Sequence, residues 1–279
     1  MPHEVLKALA VQSGEVVVDA TYGQGGHSSL LKKEARIKLI SIDADPAAGV
    51  ITGNFADLGQ IAAQLGITEI NKALFDLGWN RGQLSAGRGF SFMTDEPLLM
   101  SYGDTPRSGF TAAEILNTFT EKALADIFFG YGEERYARRI AAAVAQRRKT
   151  QPFSTTLELV EVIKDAVPAA YRRGKIHPAT RAFQALRIAV NDELGAIEQG
   201  LGAAWHLLAC GGRIAVITFH SIEDRLVKQT FAKWAKEGGK HAGKLLYKKP
   251  LIPSAAEVKQ NPASRSAKLR AIEKICHEH

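Results

Sequence analysis

The sequence predicts an α/β fold, a mostly parallel doubly wound sheet interrupted by an inserted α-helical domain, on three observations. Four short apolar runs each end at a polar residue: Asp19, Asp43, Asp76 and His220. A glycine-rich turn, Gly23-Gln24-Gly25-Gly26, follows the first run at once. Between the third run and the fourth lie well over a hundred residues, far more than one crossover helix requires.

Val16-Val17-Val18 before Asp19 reads as a buried parallel strand, because a strand covered on both faces is a continuous apolar run rather than an alternating one. Ser28 to Glu34 then reads as a short helix, and Ile37 to Ile42, ending at Asp43, as a second strand. Ala73-Leu74-Phe75 before Asp76 and Arg213 to Phe219 before His220 repeat the pattern. Ligands of open α/β sheets bind beyond the carboxyl ends of the strands, so the four polar termini are expected to mark one crevice.

From Thr111 to Val167 the pattern turns helical. Thr111 with Glu114 three residues on is a capping box, which satisfies backbone groups that a helix start leaves bare. Tyr131 to Lys149 is amphipathic and is expected as one helix, with Glu133 and Glu134 in its first turn and Arg147, Arg148 and Lys149 in its last, as suits the helix dipole. Thr155 or Thr156 begins another, and His177 to Leu208 returns the chain to the sheet as helix. Residues 104–176 are thus expected to form the helical insertion, and 1–103 with 177–279 the sheet domain. Leu245 to Pro250 and Lys268 to Ile275 read as two further strands, antiparallel at one edge.

With 46% hydrophobic and 23% charged residues in a chain of 279, the composition is that of a folded globular protein and excludes general disorder. No stretch approaches the roughly 18 continuous apolar residues of a membrane helix, and Met1 to Ala10 lacks the apolar core of a signal peptide. The expectation is a soluble, cytoplasmic protein with no membrane partner. Cys210 and Cys276 have neither metal-binding nor redox spacing, so both are expected to be reduced, and no metal site is predicted. The formal charge of +7 is spread unevenly: residues 130–190 hold twelve Lys and Arg against five Asp and Glu, whereas residues 1–129 hold ten against fifteen. Such asymmetry suggests a small-molecule site in one part and a phosphate-contacting surface in the other. Arg138, Arg139, Arg147, Arg148, Arg172, Arg173 and Lys175 are the candidate phosphate contacts.

Glycines directly after a strand let the backbone turn sharply and approach a ligand closely. The spacing G-x-G-G-H, with His27 in fifth place, departs from the G-x-G-x-x-G fingerprint of nicotinamide and flavin enzymes, which argues against a pyrophosphate cradle. Asp43 suits ribose hydroxyls in either class. Asp76, in Asp76-Leu77-Gly78-Trp79, stands where a methyltransferase brings the cofactor towards the substrate. The competing reading, that each aspartate only caps the turn after its strand, must hold at several converging strand ends together.

These residues resemble the ribosomal RNA small-subunit methyltransferase H family. The resemblance runs through Asp19 to Ser28, Arg88-Gly89-Phe90-Ser91-Phe92, Tyr131-Gly132-Glu133-Glu134-Arg135, His177 to Ile188, Phe219-His220-Ser221-Ile222-Glu223-Asp224-Arg225 and Asn261 to Ser266, in the family's order. It implies a Rossmann-like class I methyltransferase sheet with an inserted helical domain and S-adenosyl-L-methionine as cofactor. It also implies methylation of N4 of a cytidine in the decoding region of small-subunit rRNA, and cofactor contacts at Gly25, Gly26, His27, Asp43, Phe55, Asp76 and Gln83. The implied partner is small-subunit rRNA or the assembling small subunit; oligomeric state, a dimer included, stays open. The chain departs from the family at Trp79-Asn80-Arg81-Gly82, where Val-Ser-Ser-Pro is usual, and at Leu99-Met100-Ser101-Tyr102, where Asp-Met-Arg-Met is usual.

Asp76-Leu77-Gly78-Trp79 is also similar to the Asp-Pro-Pro-Tyr type of motif of amino-methylating enzymes, in which an aromatic ring stacks on an extruded base. The candidate catalytic residues are therefore Asp76, Trp79 as the stacking ring, and His220 as a proton acceptor or orienting group. Two other classes stay open at this point: a non-catalytic ribosome-assembly factor that kept the fold, and a methyltransferase acting on DNA or protein.

Overall fold

The computed structural model describes residues 1–78, 87–237 and 241–276. The chain divides into two compact units, the first comprising residues 1–78 and 194–279 and the second residues 79–193.

The first unit is built on a seven-stranded sheet. Its strands are β1 (Val16–Asp19), β2 (Lys38–Asp43), β3 (Ile51–Thr52), β4 (Ile70–Asp76), β5 (Leu208–Thr218), β6 (His241–Leu245) and β7 (Lys268–Cys276). They lie in the order β3-β2-β1-β4-β5-β7-β6. Strands β1 to β5 pair in parallel, and β7 is antiparallel to both of its neighbours. The order runs outward from β1 in both directions, so the carboxyl ends of β1 and β4 flank a topological switch point, the place where such Rossmann-like sheets open a crevice.

The apolar runs become the central strands because both faces are covered. Val18, Phe75 and Val216 pack on one side with Leu201 and Phe231, and Val17, Leu74 and Ile217 pack on the other with Val5, Leu9 and Leu31. Helix α1 (Pro2–Leu9), which the sequence reading did not pick out, supplies Val5 and Leu9 to that second layer. Helix α2 (Gly26–Glu34) follows β1, and α3 (Leu58–Gln64) follows β3. Only a 3-10 turn at Pro46–Ala48 fits between β2 and β3.

Two expectations for this unit are corrected. The edge strand β6 spans His241–Leu245 rather than Leu245 to Pro250. Gly243 places that strand against the chain at Trp234 and against Ile272, where a β-carbon would lie 2.6 Å from Ile272 Cδ1. Cys210 and Cys276, expected to be reduced, form a disulfide. They are 66 residues apart in sequence, but the antiparallel register that pairs Arg213 with Glu273 brings residues 210 and 276 opposite each other, with Cα atoms 5.6 Å apart.

The second unit is helical: α4 (Ala112–Thr118), α5 (Glu121–Gly132), α6 (Ala137–Arg147), α7 (Thr156–Ala166), α8 (Ala169–Arg172) and α9 (Thr180–Asn191). Capping boxes open α4 at Thr111/Glu114 and α7 at Thr155/Glu158. Phe128, Ile140, Leu159, Ile163 and Leu186 form its core. Tyr131 to Lys149 is not one helix: α5 ends at Glu133, whose φ of 50° is left-handed, and α6 starts afresh at Ala137. At the break the chain packs on α9: a β-carbon on Gly132 would lie 2.5 Å from the Arg181 carbonyl oxygen, and Arg181 donates to the Glu133 carbonyl at 2.6 Å. Glu133 and Glu134 therefore sit in the turn between helices, not in a first turn. The unit's limits lie outside 104–176, because Leu98 and Met100 on one side and residues up to Val190 on the other belong to the same core. The expected helix from His177 to Leu208 is interrupted by a left-handed Asp192, after which α10 (Glu193–Leu207) leads to β5.

Candidate cofactor site

The turn after β1 is held by its own side chains. Asp19 is buried; its Oδ2 accepts from Ser28 Oγ at 2.6 Å and its Oδ1 from the Thr21 N–H at 3.3 Å. Burial pushes the Asp19 carboxyl above the usual range, against the opposing pull of the Ser28 and Thr21 donors. Thr21 in turn brings its hydroxyl oxygen within 2.6 Å of the Asp76 N–H, which ties the turn after β1 to the end of β4. Asp19, already marked as a polar strand end, acts with Thr21 and Ser28, positioning residues that no spacing rule singled out because their partnership exists only once β1, α2 and β4 are assembled.

Gly25 and Gly26 are glycines for different reasons. Gly25 has φ 74°, and a β-carbon there would stand 2.5 Å from the Tyr22 hydroxyl. The turn itself excludes a side chain. Gly26 opens α2, and a β-carbon there would meet nothing within 4 Å. The space beside it is open.

His27, in the first turn of α2, places Nε2 3.5 Å from Asp76 Oδ2. The other atoms of this pair, His27 Nδ1 and Asp76 Oδ1, are buried and have no hydrogen-bond partner among the described residues. A buried polar atom without a partner carries a desolvation cost of about 1–3 kcal/mol, so both atoms are suited to a ligand with complementary donors or acceptors.

Asp43 accepts the Gly23 N–H on Oδ2 at 2.6 Å and the Asp45 N–H on Oδ1 at 2.9 Å. The turn-capping reading is thus correct in part. Each oxygen keeps a second lone pair for a hydroxyl donor. Phe55, from the 3-10 turn Phe55–Asp57, is half-buried, meets Phe75 edge-on at 5.7 Å and is backed by Gly200, where a β-carbon would lie 2.7 Å from its ring.

His220 is the N-cap of α11 (Ser221–Lys236). Its Nδ1 accepts the Glu223 N–H at 3.3 Å, while Glu223 Oε2 accepts the Phe219 and His220 N–H groups at 2.9 and 3.3 Å. The Nδ1 lone pair is thus engaged in the cap, and Nε2 lies 3.0 Å from Glu223 Oε1. Trp79 and Gln83 lie outside the described residues. Of the second unit's cations, Arg138, Arg139, Arg172, Arg173 and Lys175 are exposed. Arg147 instead donates to the Gln151 carbonyl and lies over the Phe153 ring, and Arg148 donates to the Leu116 and Phe119 carbonyls at the end of α4.

A doubly wound sheet with glycines, aspartates at neighbouring strand ends and buried polar atoms that lack a partner among the described residues defines a protein that binds a small organic cofactor beyond the ends of its strands. The chain matches the MraW methylase family over residues 1–275 and belongs to that family. It is 44% identical over 304 aligned residues to a protein of Heliobacterium modesticaldum named ribosomal RNA small subunit methyltransferase H, covering 98% of this chain and 96% of the relative. A protein of the same name from Deinococcus deserti is 45% identical over 285 residues, covering 98% and 91%. A solved rRNA methylase from Streptococcus thermophilus aligns at 11% identity with a TM-score of 0.45, covering 99% and 97%, a likeness too distant to build on. No helix among the described residues is long and apolar enough to cross a membrane.

Proposed function

We propose that this chain transfers a methyl group from S-adenosyl-L-methionine to the exocyclic N4 of a cytidine in the decoding region of small-subunit rRNA. The observation that carries the reading is the convergence of Gly26, His27 and Asp76 at the switch point of the sheet, with two buried atoms that have no partner among the described residues. The family membership and the relatives' names support it. In this reading residues 1–78 and 194–279 hold the cofactor and residues 79–193 recognise the RNA.

When bound, the cofactor supplies an electrophilic methyl on a sulfonium. Gly26 admits it beside the backbone. Asp43 accepts ribose hydroxyls on its free lone pairs, Phe55 offers a ring face to the adenine, and His27 Nδ1 and Asp76 Oδ1 make polar contacts. The exocyclic amine needs alignment and loss of one proton, and no covalent bond to the enzyme. Asp76 orients the amine, and Trp79 stacks on the extruded cytosine. His220 is left as a positioning residue that fixes the start of α11. Arg138, Arg139, Arg172, Arg173 and Lys175 contact phosphates; Arg147 and Arg148, occupied by carbonyls, support the helices.

Incubation with tritiated cofactor and unmethylated small subunits, followed by mapping of the label, tests this. The expected result is one modified cytidine. Cofactor binding without transfer would instead indicate an assembly factor, and label in DNA or protein but not in rRNA would overturn the substrate.

A further inference from the structure

Arg135 was not among the expected phosphate contacts, yet its guanidinium is held over two aromatic rings. It follows α5 in the turn before α6, is exposed, and lies over two rings at once: 4.8 Å from the centre of Tyr136 and 4.6 Å from that of Tyr171. The rings meet edge to face at 5.0 Å. Beneath them Glu134 is fully buried, accepts the Tyr136 N–H on Oε1 at 2.8 Å and takes the Tyr171 hydroxyl on Oε2 at 2.5 Å. Burial and the Glu134 carboxylate push the Tyr171 hydroxyl up to about 12, so it stays a donor to Glu134.

A guanidinium held over aromatic rings keeps N–H groups around its edge, where they form a fork that matches a phosphate. Among the described residues no carboxylate is paired with Arg135. Arg139 lies 5.9 Å from the Tyr136 ring, and Arg172 and Arg173 directly follow Tyr171, so the surroundings are cationic.

We propose that Arg135, held by Tyr136, Tyr171 and buried Glu134, is a phosphodiester-binding subsite for the RNA substrate, and this rests on the rRNA reading above. The ligand is one backbone phosphate of a single-stranded segment. Arg135 binds it in a bidentate manner; Glu134 is a positioning residue.

The test measures binding of a fluorescently labelled single-stranded RNA to the full chain across a salt series, for wild type, Arg135→Ala, Arg135→Lys and Lys122→Ala. Lys122 is an exposed cation paired with Asp126 and serves as the control. Arg135→Ala is expected to weaken binding roughly tenfold and to reduce the slope of log K against log salt by about 0.7, the value for one phosphate on a single strand. Arg135→Lys should restore most of the slope but not the affinity, and Lys122→Ala should change neither. S-adenosylmethionine affinity, measured alongside, should match wild type in every variant and so reports intact folding. If wild type binds and methylates RNA while Arg135→Ala keeps its affinity and slope, the subsite is wrong and the proposed function stands. If wild type neither binds nor methylates RNA, both fall.

Discussion

Replacing Gly25 and Gly26 separately by alanine distinguishes a glycine that the fold requires from one that a ligand requires. At Gly25 an alanine must adopt φ near 74° and displace the Tyr22 ring, whose hydroxyl would be 2.5 Å from the new carbon. The left-handed conformation alone costs about 1–2 kcal/mol. At the 2–4 °C per kcal/mol typical of large domains, Tm should fall by roughly 2–8 °C. At Gly26 the backbone is helical and the new carbon meets nothing within 4 Å, so Tm should hold or rise slightly. If the cofactor passes through that open space, an added methyl overpacks the complex by about 1–3 kcal/mol, or roughly fivefold to 150-fold in Kd. Differential scanning fluorimetry without ligand, and calorimetric titration with S-adenosylmethionine, give the two readouts. Wild-type affinity in Gly26→Ala, or a lowered Tm in the same variant, would refute the assignment.

Three other outcomes are expected. Asp224 is paired with Arg270 and Lys268; burial would raise its carboxyl, but these cations outweigh burial and hold it below the usual value of 3.8. Its stabilisation is therefore present above that value and lost as pH falls through the lower folded-state pKa, so Tm of Asp224→Asn should converge on wild type only below about pH 4; parallel curves from pH 3 to 7 would contradict this. Lys274, whose ammonium donates to the Trp205 and Leu208 carbonyls at 3.0 and 2.7 Å, should cost about 2–3 kcal/mol when changed to Met, read by urea unfolding. Thiol labelling of the unfolded chain without reductant should find neither cysteine free, and after reduction both.

What the sequence made legible was local chemistry. Val16 to Asp19 declared a buried strand because nothing polar interrupts its apolar run, and Thr111/Glu114 declared a helix start because the cap and its partner are three residues apart. What escaped was decided by packing between distant segments. The end of α5 at Glu133 depends on Arg181, and the placement of β6 depends on Gly243 meeting Ile272. The candidate cofactor site divides in the same way. Gly25, Gly26, His27, Asp43 and Asp76 stand at strand ends that the pattern exposes. The link from Asp19 to Ser28 and from Thr21 to Asp76 joins segments up to 55 residues apart and could be seen only after folding.

The bond between Cys210 and Cys276 closes a covalent ring that begins in β5 and ends in β7, taking in α11 and β6 on the way. A protease that cuts once anywhere inside this ring breaks the chain but frees no fragment. The nicked molecule runs as a single species on a denaturing gel until a reductant opens the ring, and only then as two. The last strand of the sheet is thus retained by two independent means, its hydrogen bonds to β5 and β6 and a tether that survives their loss.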